Sequence, residues 1–96
     1  AKKLDTLNDE ISEGSLNALG YRLLSEAYLD QSISIFKLII EDYPTSANPY
    51  DSYGDALLLK GDSLIALKNF KRCFELDSTL LFTKEKSEKL EAALKQ

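Results

Sequence analysis

Asp51 and Asp55 stand four residues apart in the run Tyr50-Asp51-Ser52-Tyr53-Gly54-Asp55, a spacing that brings both carboxylates to one face of a helix. Such a pair can join a calcium site or receive a basic or amide-rich segment. No second carboxylate cluster stands at calcium-loop spacing, so a solvated face is the plainer reading. The adjacent pairs Asp9-Glu10 and Glu41-Asp42 read the same way. Cys73 is the sole cysteine and precedes Phe74 on an apolar stripe, which favours a buried small side chain over a nucleophile or ligand. The chain has no histidine, so neither a Ser-His-Asp nor a Cys-His arrangement can be assembled from it. Gly-x-Ser-x-Gly is absent as well. Lys60-Gly61-Asp62 lacks the glycines and the Gly-Lys-Ser/Thr ending of a phosphate loop. It reads instead as a helix–helix turn, with Gly61 left-handed and Asp62 or Ser63 capping the next helix. The expectation is a non-enzymatic chain with no catalytic residue, no metal site and no cofactor.

Composition agrees with a single soluble domain. The 96 residues are 44% hydrophobic and 29% charged, with a net charge of −4. A negative balance argues against nucleic acid and against an anionic membrane surface. No apolar run is long enough to span a bilayer, and no signal-peptide pattern is present. The absence of methionine leads us to expect a fragment of a longer protein, with any targeting signal upstream of Ala1 and the compartment therefore open.

Periodicity places these residues on helices. Residues 1–12, with Leu4, Leu7 and Ile11 at helical spacing, read as a linker or short leading helix. Leu16, Leu19, Leu23 and Ala27 mark a first helix over residues 16–28, after a break at Ser12-Glu13-Gly14-Ser15 where Ser12 or Ser15 caps. A second helix from Leu29 carries Ile33, Phe36, Ile39 and Ile40 and stops at Asp42-Tyr43-Pro44. The third helix restarts after Thr45-Ser46-Ala47 with Pro49 in its first turn, and presents Tyr50, Tyr53, Gly54, Leu57 and Leu58. The fourth presents Leu64, Ile65, Leu67, Phe70, Cys73 and Phe74. A polar last helix over about residues 81–95 has a narrow stripe of Leu81, Phe82, Leu90, Ala93 and Leu94, which suits a terminal cap.

The first pair of helices repeats in the second. Aligning residues 13–46 on 47–80, an offset of 34, gives seven identities: Gly20/Gly54, Leu23/Leu57, Leu24/Leu58, Phe36/Phe70, Lys37/Lys71, Glu41/Glu75 and Thr45/Thr79. Roughly two are expected by chance from ordinary composition. A glycine inside a helix costs about 1 kcal/mol relative to alanine. Its recurrence at Gly20 and Gly54 therefore predicts a close approach by the neighbouring helix, with Phe36 and Phe70 filling the space between paired helices.

At these residues the chain resembles the tetratricopeptide repeat (TPR) family. Leu16, Leu19-Gly20, Leu23, Ser32, Phe36, Ile39 and Pro44 follow the family pattern in the first copy. Tyr50, Tyr53-Gly54, Leu57, Ala66, Phe70 and Cys73 follow it in the second. Ile39 is larger than the family's usual alanine, and Ser78 replaces the second exit proline. The resemblance implies an all-α fold of antiparallel helical hairpins, stacked as a short right-handed solenoid. Residues 13–46 and 47–80 would be its two repeats and residues 81–96 its capping helix. It also implies a concave face lined by the first helix of each repeat, which places Asn17, Tyr21, Leu24, Asn48, Asp51, Asp55 and Leu58 there. The family's chaperone-tail clamp holds a terminal carboxylate with Lys, Asn and Arg. The matching places here hold Asn17, Tyr21, Ser52, Phe82 and Lys86, too little positive charge for that ligand.

A second resemblance concerns context. Residues 15–24, Phe36-Lys37-Leu38, Tyr43-Pro44-Thr45-Ser46-Ala47-Asn48 and residues 50–56 are similar to the C-terminal repeat extension of bacterial esterases and related serine hydrolases. The function implied is a non-catalytic protein-interaction or scaffolding module. Its partner would be a protein or peptide segment, including the upstream catalytic domain of the same polypeptide, with any hydrolase residues lying upstream. Self-association into a homo-oligomer is the alternative, because two repeats are few for a solenoid. The candidate partner-binding residues are Asn17, Tyr21, Asn48, Asp51 and Asp55.

Overall fold

The computed structural model describes residues 12–96, and regular structure among them is helical throughout. The leading segment expected before residue 12 lies outside the described residues. Five helices follow in order: α1 (Glu13–Ser25), α2 (Leu29–Asp42), α3 (Asn48–Lys60), α4 (Ser63–Leu76) and α5 (Leu81–Leu94). Each packs on the next along the chain, and α1 also touches α3. The result is a helical-repeat-like arrangement elongated to 49 × 29 × 17 Å.

Helix boundaries follow from capping chemistry. The Ser12 hydroxyl accepts from the Ser15 amide at 3.1 Å, so α1 starts at Glu13 and absorbs the expected break. It also ends earlier than its apolar spacing predicts. Ala27 is not in the helix: it sits in the exposed turn with φ 69°. The Tyr28 amide donates to the Leu23 carbonyl at 2.8 Å and the Ala27 amide to Leu24 at 3.1 Å, a Schellman closure. The end of α3 repeats this geometry thirty-four residues on, with Gly61 at φ 99°. There the Asp62 amide reaches Leu57 at 2.9 Å and the Gly61 amide reaches Leu58 at 3.1 Å. Asp62 thus closes α3 through its backbone, and its side chain makes no capping bond to α4, contrary to the sequence expectation.

Left-handed backbone costs an alanine roughly 1–2 kcal/mol that glycine avoids. Ala27→Gly is therefore expected to raise stability by about 1 kcal/mol, and Gly61→Ala to lower it by a similar amount. Urea midpoints moving in those opposite directions would verify the pair; a stabilised Gly61→Ala would refute it.

The core has two centres. Phe36, Ile39 and Ala56 form one, and Leu57, Ala66 and Phe70 form the other; Ile33 and Tyr53 pack against both and join them. The two glycines are where these centres are narrowest. A methyl group at Gly20 would lie 2.4 Å from Phe36 Cε1, and one at Gly54 would lie 2.5 Å from Phe70 Cε1. Both rings are fully buried, so the close approach expected from the repeated glycines is present in each hairpin. The first hairpin adds a polar tie, with the Ser32 hydroxyl donating to the Gly20 carbonyl at 2.8 Å. Ala66 holds the equivalent place in the second. Cys73 is fully buried in α4, as its stripe implied.

Several stripe residues point outward instead. Leu64 is 68% exposed and Leu81 62%, while Ile65, Leu58, Leu19, Phe82 and Leu94 are also exposed. On α5 the buried positions are Thr83 and Ser87, with Leu90 half-buried. That is a polar contact row where an apolar stripe was expected. The reason is rotational: α5 is turned so that Thr83 and Lys86 meet carboxylates on α3. Lys84, Glu88 and Glu91 occupy the register that Tyr50, Gly54 and Leu57 hold on α3. Glu88 pairs with Lys84 at 3.4 Å and Glu91 with Lys71 at 3.1 Å, so this face of α5 is charged where the matching face of α3 is uncharged.

Candidate partner-binding face

Helices α1, α3 and α5 present one shared face, and four of the five candidate residues are bonded on it. The Tyr21 hydroxyl on α1 reaches Asp55 Oδ2 on α3 at 3.5 Å. These two residues hold the same position in the two repeats. Asn17, the counterpart of Asp51, accepts from the Ser52 hydroxyl at 3.1 Å through Oδ1. Asn48 lies at the start of α3 with an exposed side chain; its carbonyl accepts from Ser52 at 3.4 Å.

Asp51 and Asp55 are not a solvated pair. Asp51 is only 7% exposed. Lys86 Nζ lies 3.0–3.2 Å from both Asp51 oxygens and 3.0–3.1 Å from both Asp55 oxygens. The same ammonium sits 5.3 Å from the Phe70 ring centre and 5.7 Å from that of Phe82. The Thr83 hydroxyl donates to Asp51 Oδ1 at 2.8 Å. That commits its proton, so the Cys73 thiol, 3.6 Å from Thr83 Oγ1, is the donor in their contact. A polar chain therefore runs from Cys73 through Thr83, Asp51, Lys86 and Asp55 to Tyr21, and no buried side-chain polar atom among the described residues lacks a partner. In place of solvent, or of a basic segment from a partner, α5 supplies the cation that the acidic pair holds.

One cation shared by two acids leaves an asymmetry. Desolvation raises the Asp55 carboxyl above its ordinary 3.8, Lys86 opposes it, and the neighbouring Asp51 charge pushes it further up. Burial works against the Lys86 charge, yet its bonds to Asp51 and Asp55 outweigh that and raise its pKa above 10.5. The signs follow from proton linkage. Between pH 3.8 and its raised value the folded Asp55 holds more proton than the unfolded one, so stability from this group falls as pH rises across that window. The Lys86 contribution is complete below pH 10.5 and is lost as pH rises through its raised value. Asp55→Asn is accordingly expected to change stability at pH 7 by less than about 1 kcal/mol, because Lys86 keeps Asp51. Chemical melts from pH 7 to 11 should show an alkaline loss that Lys86→Met reduces, the remainder coming from the raised Cys73 thiol and Tyr21 phenol.

Burial raises the Cys73 thiol pKa, which keeps it protonated and unreactive at neutral pH. No cluster of three or more His, Cys, Asp or Glu side chains that could hold a metal occurs among the described residues. No helix among them is long and apolar enough to cross a membrane.

No family model and no curated protein matches this chain.

The sequence reading missed Thr83 and the role of Lys86. Repeat register was the available signal for the second: Lys86 stands thirty-four residues after Ser52, which places it on this face. Thr83, one turn before Lys86 in a polar helix, carries no mark of burial in its composition. An open cavity of about 290 Å³ adjoins the cluster between α3 and α5, bounded by Leu58, Phe70, Lys86, Lys89 and Leu90.

Proposed function

We propose that the chain is a non-catalytic protein-interaction module, built as a short right-handed TPR-type solenoid with α5 as its cap, which receives a peptide segment across α1, α3 and α5. The observation that carries this reading is the register of Tyr21 and Asp55, equivalent residues of two repeats that meet on one face. Asn17 and Asn48 extend that face with amide groups suited to an extended backbone. The sequence resemblance supports a role as the C-terminal accessory domain of a larger protein such as an esterase or serine hydrolase, with the catalytic residues upstream.

Peptide display on the chain, followed by amide chemical-shift mapping of a selected peptide, tests the reading. Shifts should gather on Asn17, Tyr21, Asn48, Asp51 and Asp55, and generic ester substrates should remain unhydrolysed. Shifts confined to the outer sides of α2 and α4 would overturn the assignment of the face.

One observation favours self-association as a second reading. Leu64, Ile65 and Leu94 are exposed around a cavity of about 460 Å³ beside the α3–α4 turn, with exposed Leu59 at the end of α3. A concentration-independent monomer mass by light scattering would remove it.

A further inference from the structure

Helix α5 is attached to the body differently from the helices before it. The buried side chains of α2 include Phe36 and Ile39, and those of α4 are Ala66, Phe70 and Cys73. Those of α5 are Thr83 and Ser87. The Ser87 hydroxyl donates to the Lys84 carbonyl of its own helix at 2.9 Å, so its bond does nothing to fasten α5. No buried member of either core centre comes from α5, and only half-buried Leu90 packs against them from that helix. An open cavity of about 290 Å³ between α3 and α5 leaves the contact incompletely filled. The first turn of α5 has no side-chain cap. What fastens the helix is chiefly polar: Thr83 to Asp51, Lys86 to both aspartates, and the exposed pair of Glu91 with Lys71. Water takes over bonds of this kind when they open, so their net contribution is smaller than that of a buried Phe or Leu. Undocking α5 would leave Phe36 and Phe70 among all their buried neighbours.

Cys73 marks the surface beneath. Its counterpart Ile39 clusters with Ala56 on the first helix of the next hairpin, and thirty-four residues after Ala56 stands Leu90 of α5. The register and the 3.6 Å contact with Thr83 Oγ1 both put α5 over the fully buried thiol. We infer that α5 is a hinged cover that opens as a unit about residues 77–80 while α1–α4 stay folded, with Lys86 as its latch. Closed, the cover sets one cation against two carboxylates and hides Cys73. Open, it bares Asp51, Asp55 and the thiol together, and so governs both the charge of this face and access to Cys73.

The test labels the sole thiol of the full chain with a chromogenic aromatic disulfide under native conditions, at reagent levels where the rate reads the open population. Labelling should run faster than global unfolding allows and change little in low urea, because opening exposes little surface. Lys86→Met should speed it about thirtyfold, the population change that follows from removing the shared cation. Phe36→Leu lies in the core centre to which α5 contributes nothing. It should lower the urea midpoint yet leave the labelling rate unchanged. Amide exchange of the wild-type chain should show α5 exchanging ahead of α2 and α4. Labelling that follows the global urea transition, or that Phe36→Leu speeds in proportion to its loss of stability, means that the whole chain must unfold to expose the thiol, and overturns the inference. Equal protection of α5 and α4 amides overturns it too, whether or not Lys86→Met folds. A folded Lys86→Met that labels at the wild-type rate would remove Lys86 as the latch and sink the inference as stated.

Discussion

Gly54→Leu is expected to abolish cooperative folding, read as loss of the sigmoidal urea transition in far-ultraviolet circular dichroism. The first side-chain atom alone would lie 2.5 Å from Phe70 Cε1, well inside van der Waals contact. Phe70 is fully buried among Leu57, Ala66, Ile33, Tyr53 and Leu90, so a retreat toward the open α3–α5 cavity that it borders would pull it out of those contacts. Overpacking in a filled core costs typically 1–3 kcal/mol for added methylenes, and a whole leucine side chain exceeds that range. A domain this small has only about 5–10 kcal/mol in total. Gly54→Ala is the graded form of the experiment. Helix propensity would favour alanine by about 1 kcal/mol, so a net loss of about 1–2 kcal/mol measures the clash against that gain. Adding Phe70→Leu to Gly54→Ala should recover part of the loss, as expected for residues in direct contact. A more stable Gly54→Ala, or a double variant whose losses simply add, would sink the account. Gly20 with Phe36 should behave alike, since the equivalent distance there is 2.4 Å.

The second large effect is expected at Lys86. Lys86→Met keeps most of the side-chain volume and removes the charge that Asp51 and Asp55 share. Asp51 then remains buried with the Thr83 hydroxyl and a like charge beside it. Removing one partner of a fully buried pair costs roughly 3–5 kcal/mol. The Lys86 side chain is 36% exposed, so water can take over part of its role. A loss of about 2 kcal/mol in urea unfolding is the expected outcome. The triple variant Asp51→Asn, Asp55→Asn, Lys86→Met should regain much of it, because no uncompensated charge is left. An unchanged midpoint for Lys86→Met would mean that the cluster orients α5 without stabilising it.

These two sites differ in how far the sequence discloses them. Gly20, Gly54, Phe36 and Phe70 are visible because a costly residue recurs beside a large one at a fixed offset. Local propensity gives a mid-helix glycine no other explanation. The hairpin turns are visible for the same reason at Gly61, and half-visible at Ala27, where the sequence shows a helix former in a left-handed turn. The polar cluster is hidden. Asp51 reads as a surface acid because its burial depends on α5, thirty residues further along the chain. The exposure of Leu64, Ile65, Leu81 and Phe82 is hidden for a related reason. A stripe that is apolar over a wide arc does not specify which part of it faces the neighbouring helix.

Spacing and repetition along the chain specify the helices, their order and the equivalence of the two hairpins. Each follows from interactions within a few turns or from a repeated offset. The rotation of α5, the burial of Asp51, the pairing of both aspartates with Lys86 and the cavity between α3 and α5 arise only when the helices pack. Those features depend on contacts between side chains that are 31 to 35 residues apart. Their energy comes from desolvation and shared charge, which no single helix carries in its own spacing.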